Sequence, residues 1–127
     1  MHGHAIDKGS AMKVLIYGDW GKQDARLANA LKAAQGENLF QILLAGAKVI
    51  LRYALLNTPV DTGFLRSTGQ LDREDTSPIV GYAADYATFV EFGTSKMAAE
   101  PYLRPAIDEH MDEIETEMMK VVESKVQ

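Results

Sequence analysis

The chain has 127 residues, 46% hydrophobic and 24% charged, with 13 bases against 18 acids and no cysteine. That length suits one domain with its own core, and the composition excludes a disordered or collagen-like chain. A formal charge of −5 argues against a dedicated nucleic-acid binder, and the lack of cysteine excludes disulfide scaffolds, cysteine metal sites and thiol enzymes. Residues 107–127 hold seven acids and two bases, so they carry the whole net charge of −5 and the rest of the chain is neutral.

Residues 1–11 have neither the apolar stretch of a secretory signal nor the basic amphipathic helix of an import sequence. The run from Met1-His2-Gly3-His4 to Gly9-Ser10-Ala11-Met12 reads as an expression leader. This makes 12–127 a single domain and removes His2 and His4 from any metal argument. Lys13 to Tyr17 is rich in Val, Leu, Ile and Tyr and predicts a strand, ending at Gly18-Asp19-Trp20-Gly21. Gln23 to Gln35 predicts a helix from Leu27, Leu31 and Ala34, with Gly36 as its end or a bend. Glu37 to Asn57 predicts the main helix, stopped because Pro59 disfavours helical geometry at Thr58. Its apolar run, Leu39 to Leu56, approaches bilayer-spanning length. Gln41, Lys48 and Arg52 nevertheless share one narrow stripe, and two bases near the centre would disfavour a membrane helix, so a largely buried core helix is expected.

Beyond Pro59 the pattern changes. Phe64 to Arg73 and Pro78 to Ala83 predict two antiparallel strands joined across Glu74-Asp75-Thr76-Ser77. Asp85 to Phe92 fits a helix, with Tyr86, Phe89 and Val90 on one face, or a strand favoured by its aromatics. Gly93-Thr94-Ser95-Lys96 reads as a loop, and Pro101 and Pro105 lead into one last helix over Tyr102 to Lys125. Ile107, Met111, Ile114, Met118 and Val121 recur at heptad spacing, which predicts a core-facing stripe with an acidic, solvated back. The expected fold class is α+β, a small antiparallel sheet packed against a long central helix and a C-terminal helix.

Several constellations bear on chemistry. Asp61-Thr62-Gly63 matches the catalytic triplet of aspartic proteases, where two aspartates share a proton, so one copy per chain would require a homodimer. Those triplets follow an apolar strand in an all-β barrel, whereas here a long helix precedes; Asp61 and Thr62 as turn residues and Gly63 as a left-handed residue is the expectation. His110 with Asp108, Glu109, Asp112 and Glu113 offers metal-ligand types, but a crowded acidic helix face produces such spacings by chance. Gly18-Asp19-Trp20-Gly21-Lys22 lacks the glycine spacing of a phosphate loop. No catalytic residue, metal site or cofactor is expected. Arg66, Glu91 and Arg104 are charges embedded in apolar sequence, and Glu91 is expected to pair with Arg66 or Arg104.

Taken in order, Pro59-Val60-Asp61-Thr62-Gly63-Phe64-Leu65-Arg66-Ser67, Val80-Gly81, Tyr86 through Met97, and Pro101-Tyr102-Leu103-Arg104-Pro105-Ala106 resemble the tail-component family of long-tailed bacteriophages. The resemblance runs from Leu39 to the C-terminus and leaves 12–36 much less diagnostic. It implies a structural, non-enzymatic phage or prophage protein of the head–tail neck or tail completion, assembling as copies around the DNA passage. It implies as partners other copies and neighbouring neck or tail proteins, with only passive contact with passing DNA and no membrane. The implied location is the virion, and the host bacterial cytoplasm during assembly. Pro59, Asp61, Gly63, Leu65, Arg66, Tyr86, Glu91, Gly93, Thr94, Pro101, Arg104 and Pro105 are its fold and assembly determinants here. The loop 93–100 is small-residue-rich and is expected to be mobile alone, ordering against a neighbour. The competing readings are the homodimeric aspartic protease and a bacterial adaptor module that binds a partner helix.

Overall fold

A computed structural model describes residues 4–7, 12–16, 20–61 and 63–125. Four strands, β1 (His4–Asp7), β2 (Met12–Ile16), β3 (Gly69–Glu74) and β4 (Ser77–Tyr82), form one sheet in the order β1-β2-β4-β3, antiparallel throughout. Alternation puts Met12, Val14 and Ile16 on one face of β2, and all three are buried. Met12 lies opposite Tyr82 and Val14 opposite Val80, so the inner face is continuous across the two central strands. The strand expected from Lys13 is therefore present; Tyr17 to Asp19 lie outside the described residues. His4–Asp7, read from sequence as leader, pairs with the far edge of β2, an edge whose backbone groups would otherwise lack partners.

Six helices are present among the described residues: α1 (Ala25–Ala33), α2 (Gly36–Asn57), α3 (Phe64–Ser67), α4 (Ala87–Phe92), α5 (Leu103–Asp108) and α6 (Met111–Lys125). The Asp24 carboxylate accepts the Arg26 N–H and caps α1, which buries Leu27. Among the described helices only α2 is long and apolar enough to cross a membrane. Its apolar positions instead pack against the sheet, α5 and α6, burying Phe40, Leu43, Ala47, Ile50 and Ala54, while Lys48 and Arg52 point outward as their stripe predicts. Thr58, before Pro59, is extended (φ −63°, ψ 126°) and ends α2 as expected.

The structure corrects the sequence reading at two places and decides a third that was left open. Phe64 does not begin a strand. The chain turns at Gly63 (φ 83°), and the Ser67 and Thr68 hydroxyls donate to the carbonyls of Phe64 and Leu65, closing the single helical turn α3 before β3 starts at Gly69. The ambiguous Asp85–Phe92 segment is resolved as the helix α4. The last helix is two helices, broken at Glu109-His110, where the His110 ring stacks flat on Tyr53 of α2 with centroids 3.4 Å apart. The break lets α5 and α6 each follow α2. The heptad stripe does face the core, with Ile107, Ile114 and Met118 fully buried.

α2 and α6 approach closely at Gly46, where an added Cβ would run into Met118 Cε and come within 3.1 Å of Ile114 Cγ2. Gly46→Leu should lower unfolding free energy by about 1–3 kcal/mol in urea titrations through overpacking. Gly46→Ala should be near neutral, because a helix-propensity gain of about 1 kcal/mol offsets displacement of a flexible methionine tip.

Candidate functional site

The motif residues converge where the C-terminal end of α2 meets α4 and α5. The centre is Glu91, 4% exposed. Its Oε1 accepts the backbone N–H groups of Tyr102 (2.9 Å) and Leu103 (2.8 Å), and its Oε2 accepts the N–H of Arg104 (3.0 Å). The expected pairing with a basic side chain is thus replaced by a helix cap. The donors at the start of α5 have no intrahelical partners, and a carboxylate satisfies three at once. The Arg104 guanidinium lies instead over the Phe92 ring, 5.5 Å from its centroid, and Arg66 is exposed on α3.

Two buried tyrosines brace the same corner. The Tyr102 hydroxyl donates to the Ala87 carbonyl at 2.8 Å, tying α5 back to α4. The Tyr82 hydroxyl meets Thr58 Oγ1 at 2.8 Å, and Thr58 Oγ1 donates to the Ala54 carbonyl at 2.6 Å, tying β4 to the end of α2. The two rings meet edge to face, with centroids 4.7 Å apart. Burial pushes the Tyr82 hydroxyl up to about 12; the Thr58 bond opposes this and the charge of Glu91 adds to it. Tyr102 is also raised, by burial first, then by the charge of Glu91 and by Tyr82.

Beside this brace is an open cleft of ≈ 350 Å³, lined by Pro59, Asp61, Gly63, Leu65 and Tyr86, together with Val90, Met97, Ala98 and Glu100. Five of the motif residues named from sequence therefore share one surface feature. Gly93 and Thr94 begin the loop that brings Met97, Ala98 and Glu100 to the cleft wall. Gly93 has φ 75°, and a Cβ there would lie 2.8 Å from the Ala99 nitrogen, so only glycine fits. The Thr94 and Met97 backbones exchange hydrogen bonds at 2.8 and 3.3 Å, and the Glu100 N–H donates to the Val90 carbonyl. Within the single chain, these bonds shape the 93–100 loop and tie its end to α4. Pro101 is exposed, and Pro105 sits in the first turn of α5, where its missing N–H leaves no gap. Thr58 and Tyr82 carried no sequence signal for this site, because they bond to each other across 24 positions and from different elements.

Large apolar side chains stand exposed on these same segments: Leu56 and Val60 around Pro59, Phe64 (55% exposed), Phe89 (54%) and Met97, with Phe64 and Tyr86 rings 6.3 Å apart. Asp61 is exposed in the loop after α2 and not after a strand, so the barrel context of a protease triplet is missing; Thr62 lies outside the described residues. On α6 the Glu113 carboxylate accepts from the Tyr53 hydroxyl and pairs with Arg52, contacts that hold it below the usual carboxylate range. Among the described residues, no cluster of three His, Asp or Glu side chains is placed to hold a metal ion.

Glu91→Gln would present an amide N–H₂ to at least one backbone N–H, and should lower stability by about 1–3 kcal/mol in denaturant titrations. The tyrosine shifts predict a separate alkaline signature. Both hydroxyls stay protonated in the fold above the ordinary value of 10.0 at which the unfolded chain releases its protons. Their contribution should be intact below about pH 10 and decline as pH rises toward 12, read as a falling melting temperature with a shallower slope in Tyr82→Phe.

No curated protein and no solved structure matches the chain. The family described as "Bacteriophage HK97-gp10, putative tail-component" matches residues 24–93, more than half of the chain. The matched stretch begins at Asp24, so it takes in α1, and it ends at Gly93, before the Pro101–Ala106 block. It contains the helix, turn and cleft segments from Pro59 to Glu91 described above. The chain belongs to this HK97-gp10-like family of phage tail components.

Proposed function

We propose that this tail component is a structural, non-enzymatic protein of the head–tail neck or tail-completion complex, acting by assembly with its own copies and adjacent tail proteins around the DNA passage. The observation that carries this reading is the position of the motif residues. Glu91 is buried in a corner of the fold, and Pro59, Asp61, Gly63, Leu65 and Tyr86 line an apolar cleft flanked by exposed aromatics. Large apolar side chains grouped on one surface mark a contact with protein. Glu91, the one motif carboxylate that is buried, is engaged by three backbone N–H groups as a helix cap. The net charge of −5 supports a passive relation to DNA, since like charge keeps a passing genome from adhering.

The double variant Phe64→Ala, Met97→Ala tests the reading. Both side chains are exposed, so thermal melts should move stability by no more than about 0.5 kcal/mol per site. Completion of infectious particles, measured by plaque titre with the variant as sole source of the protein, should fall sharply. An unchanged titre would refute an assembly role for this surface.

A further inference from the structure

We propose that the acid-rimmed apolar patch at the cleft of one copy docks onto the groove between α2 and α6 of a second copy, a head-to-tail contact. This rests on the assembly reading above and names the two faces that meet. The patch offers projecting apolar groups, Val60, Phe64 and Phe89, beside Asp61 and Glu100, and neither of these acids has an ion pair among the described residues. The groove is of comparable size, ≈ 430 Å³, with Val49 and Val121 among its apolar walls. Lys48, Arg52 and Lys120 line it, with Glu117 as its one acid. Arg52 is engaged by Glu113 and Lys120 by Glu117, while Lys48 is exposed and has no ion pair among the described residues. Asp61 and Glu100 therefore meet the unpaired Lys48 when patch meets groove.

Like-with-like pairing is disfavoured by the same charges. A two-fold contact through the patch would bring Asp61 and Glu100 of both copies together, and one through the groove would do the same with Lys48. The two faces are also separate. Lys48 is about 14 Å along the α2 axis from Asn57, at 1.5 Å per residue, and the cleft begins beyond that end. A copy docked through one face keeps the other available. Such a heterologous contact repeats, and it closes into a ring when its rotation allows.

Because the chain has no cysteine, single introduced thiols report the contact directly. Val60→Cys and Ala45→Cys place a thiol on each face and leave every charge intact. The two full-length variants are mixed at high concentration under mild oxidation, and intact-mass spectrometry distinguishes the mixed disulfide from the two same-variant dimers. The mixed product should dominate. Adding Lys48→Glu to the Ala45→Cys copy should lower it on the order of tenfold, the effect of about 1.4 kcal/mol. Adding Asp61→Lys to the other copy should restore it. Same-variant dimers at or above the mixed level, no disulfide, or a mixed yield indifferent to charge reversal would each overturn the proposal. If the mixed product is absent while Phe64→Ala, Met97→Ala still blocks particle completion, the assembly reading stands and the head-to-tail pairing fails. If those alanines change no titre, the assembly reading itself has failed.

Discussion

A carboxylate buried to 4% exposure is unfavourable unless its oxygens are occupied, and the architecture of the C-terminal half follows from how Glu91 meets that condition. Its two oxygens accept three successive N–H groups at the start of α5. A helix of six residues is too short to be stable on its own. The cap and the packing of Leu103, Ala106 and Ile107 against α2 hold it in place. The carboxylate removes orphan donors from the helix start, and the helix start satisfies the charge. Each makes the other's burial tolerable.

From that bond the rest of the corner is determined. Fixing α5 to α4 encloses Tyr102, whose hydroxyl reaches back to Ala87, and sets Tyr82 edge-on against it. Tyr82 in turn engages Thr58, the residue that ends α2. Four elements, α2, β4, α4 and α5, thus share one buried joint, and the cleft lies beside that joint. The segments 59–61 and 63–65 and the 93–100 loop form the two lips of the cleft.

The helix α2 unites the molecule. It touches the sheet, α5 and α6 at once, which explains an apolar content high enough to resemble a membrane span. Its outward stripe ends in the exposed Leu56 beside the cleft and carries Lys48 and Arg52 along the α6 groove. One helix therefore forms the core and borders both candidate contact faces, so the spacing between those faces is set by helical rise and not by flexible loops.

The sequence by itself determined the family, the α+β class, α2 and its end at Pro59, the buried stripe of α6, and most residues of the cleft. These depend on periodicity, proline geometry and motif order, all local properties of the chain. It misread Phe64 as a strand start because the hydroxyls that close α3 compete with the backbone in a way that apolar pattern does not register. It ran α5 and α6 together because the break at His110 is decided by stacking on Tyr53, far away in sequence. Only the tertiary structure decided the role of Glu91. Embedded charge indicated that it had a partner, but backbone donors are carried by every residue except proline, and which of them a carboxylate meets depends on how the chain folds back.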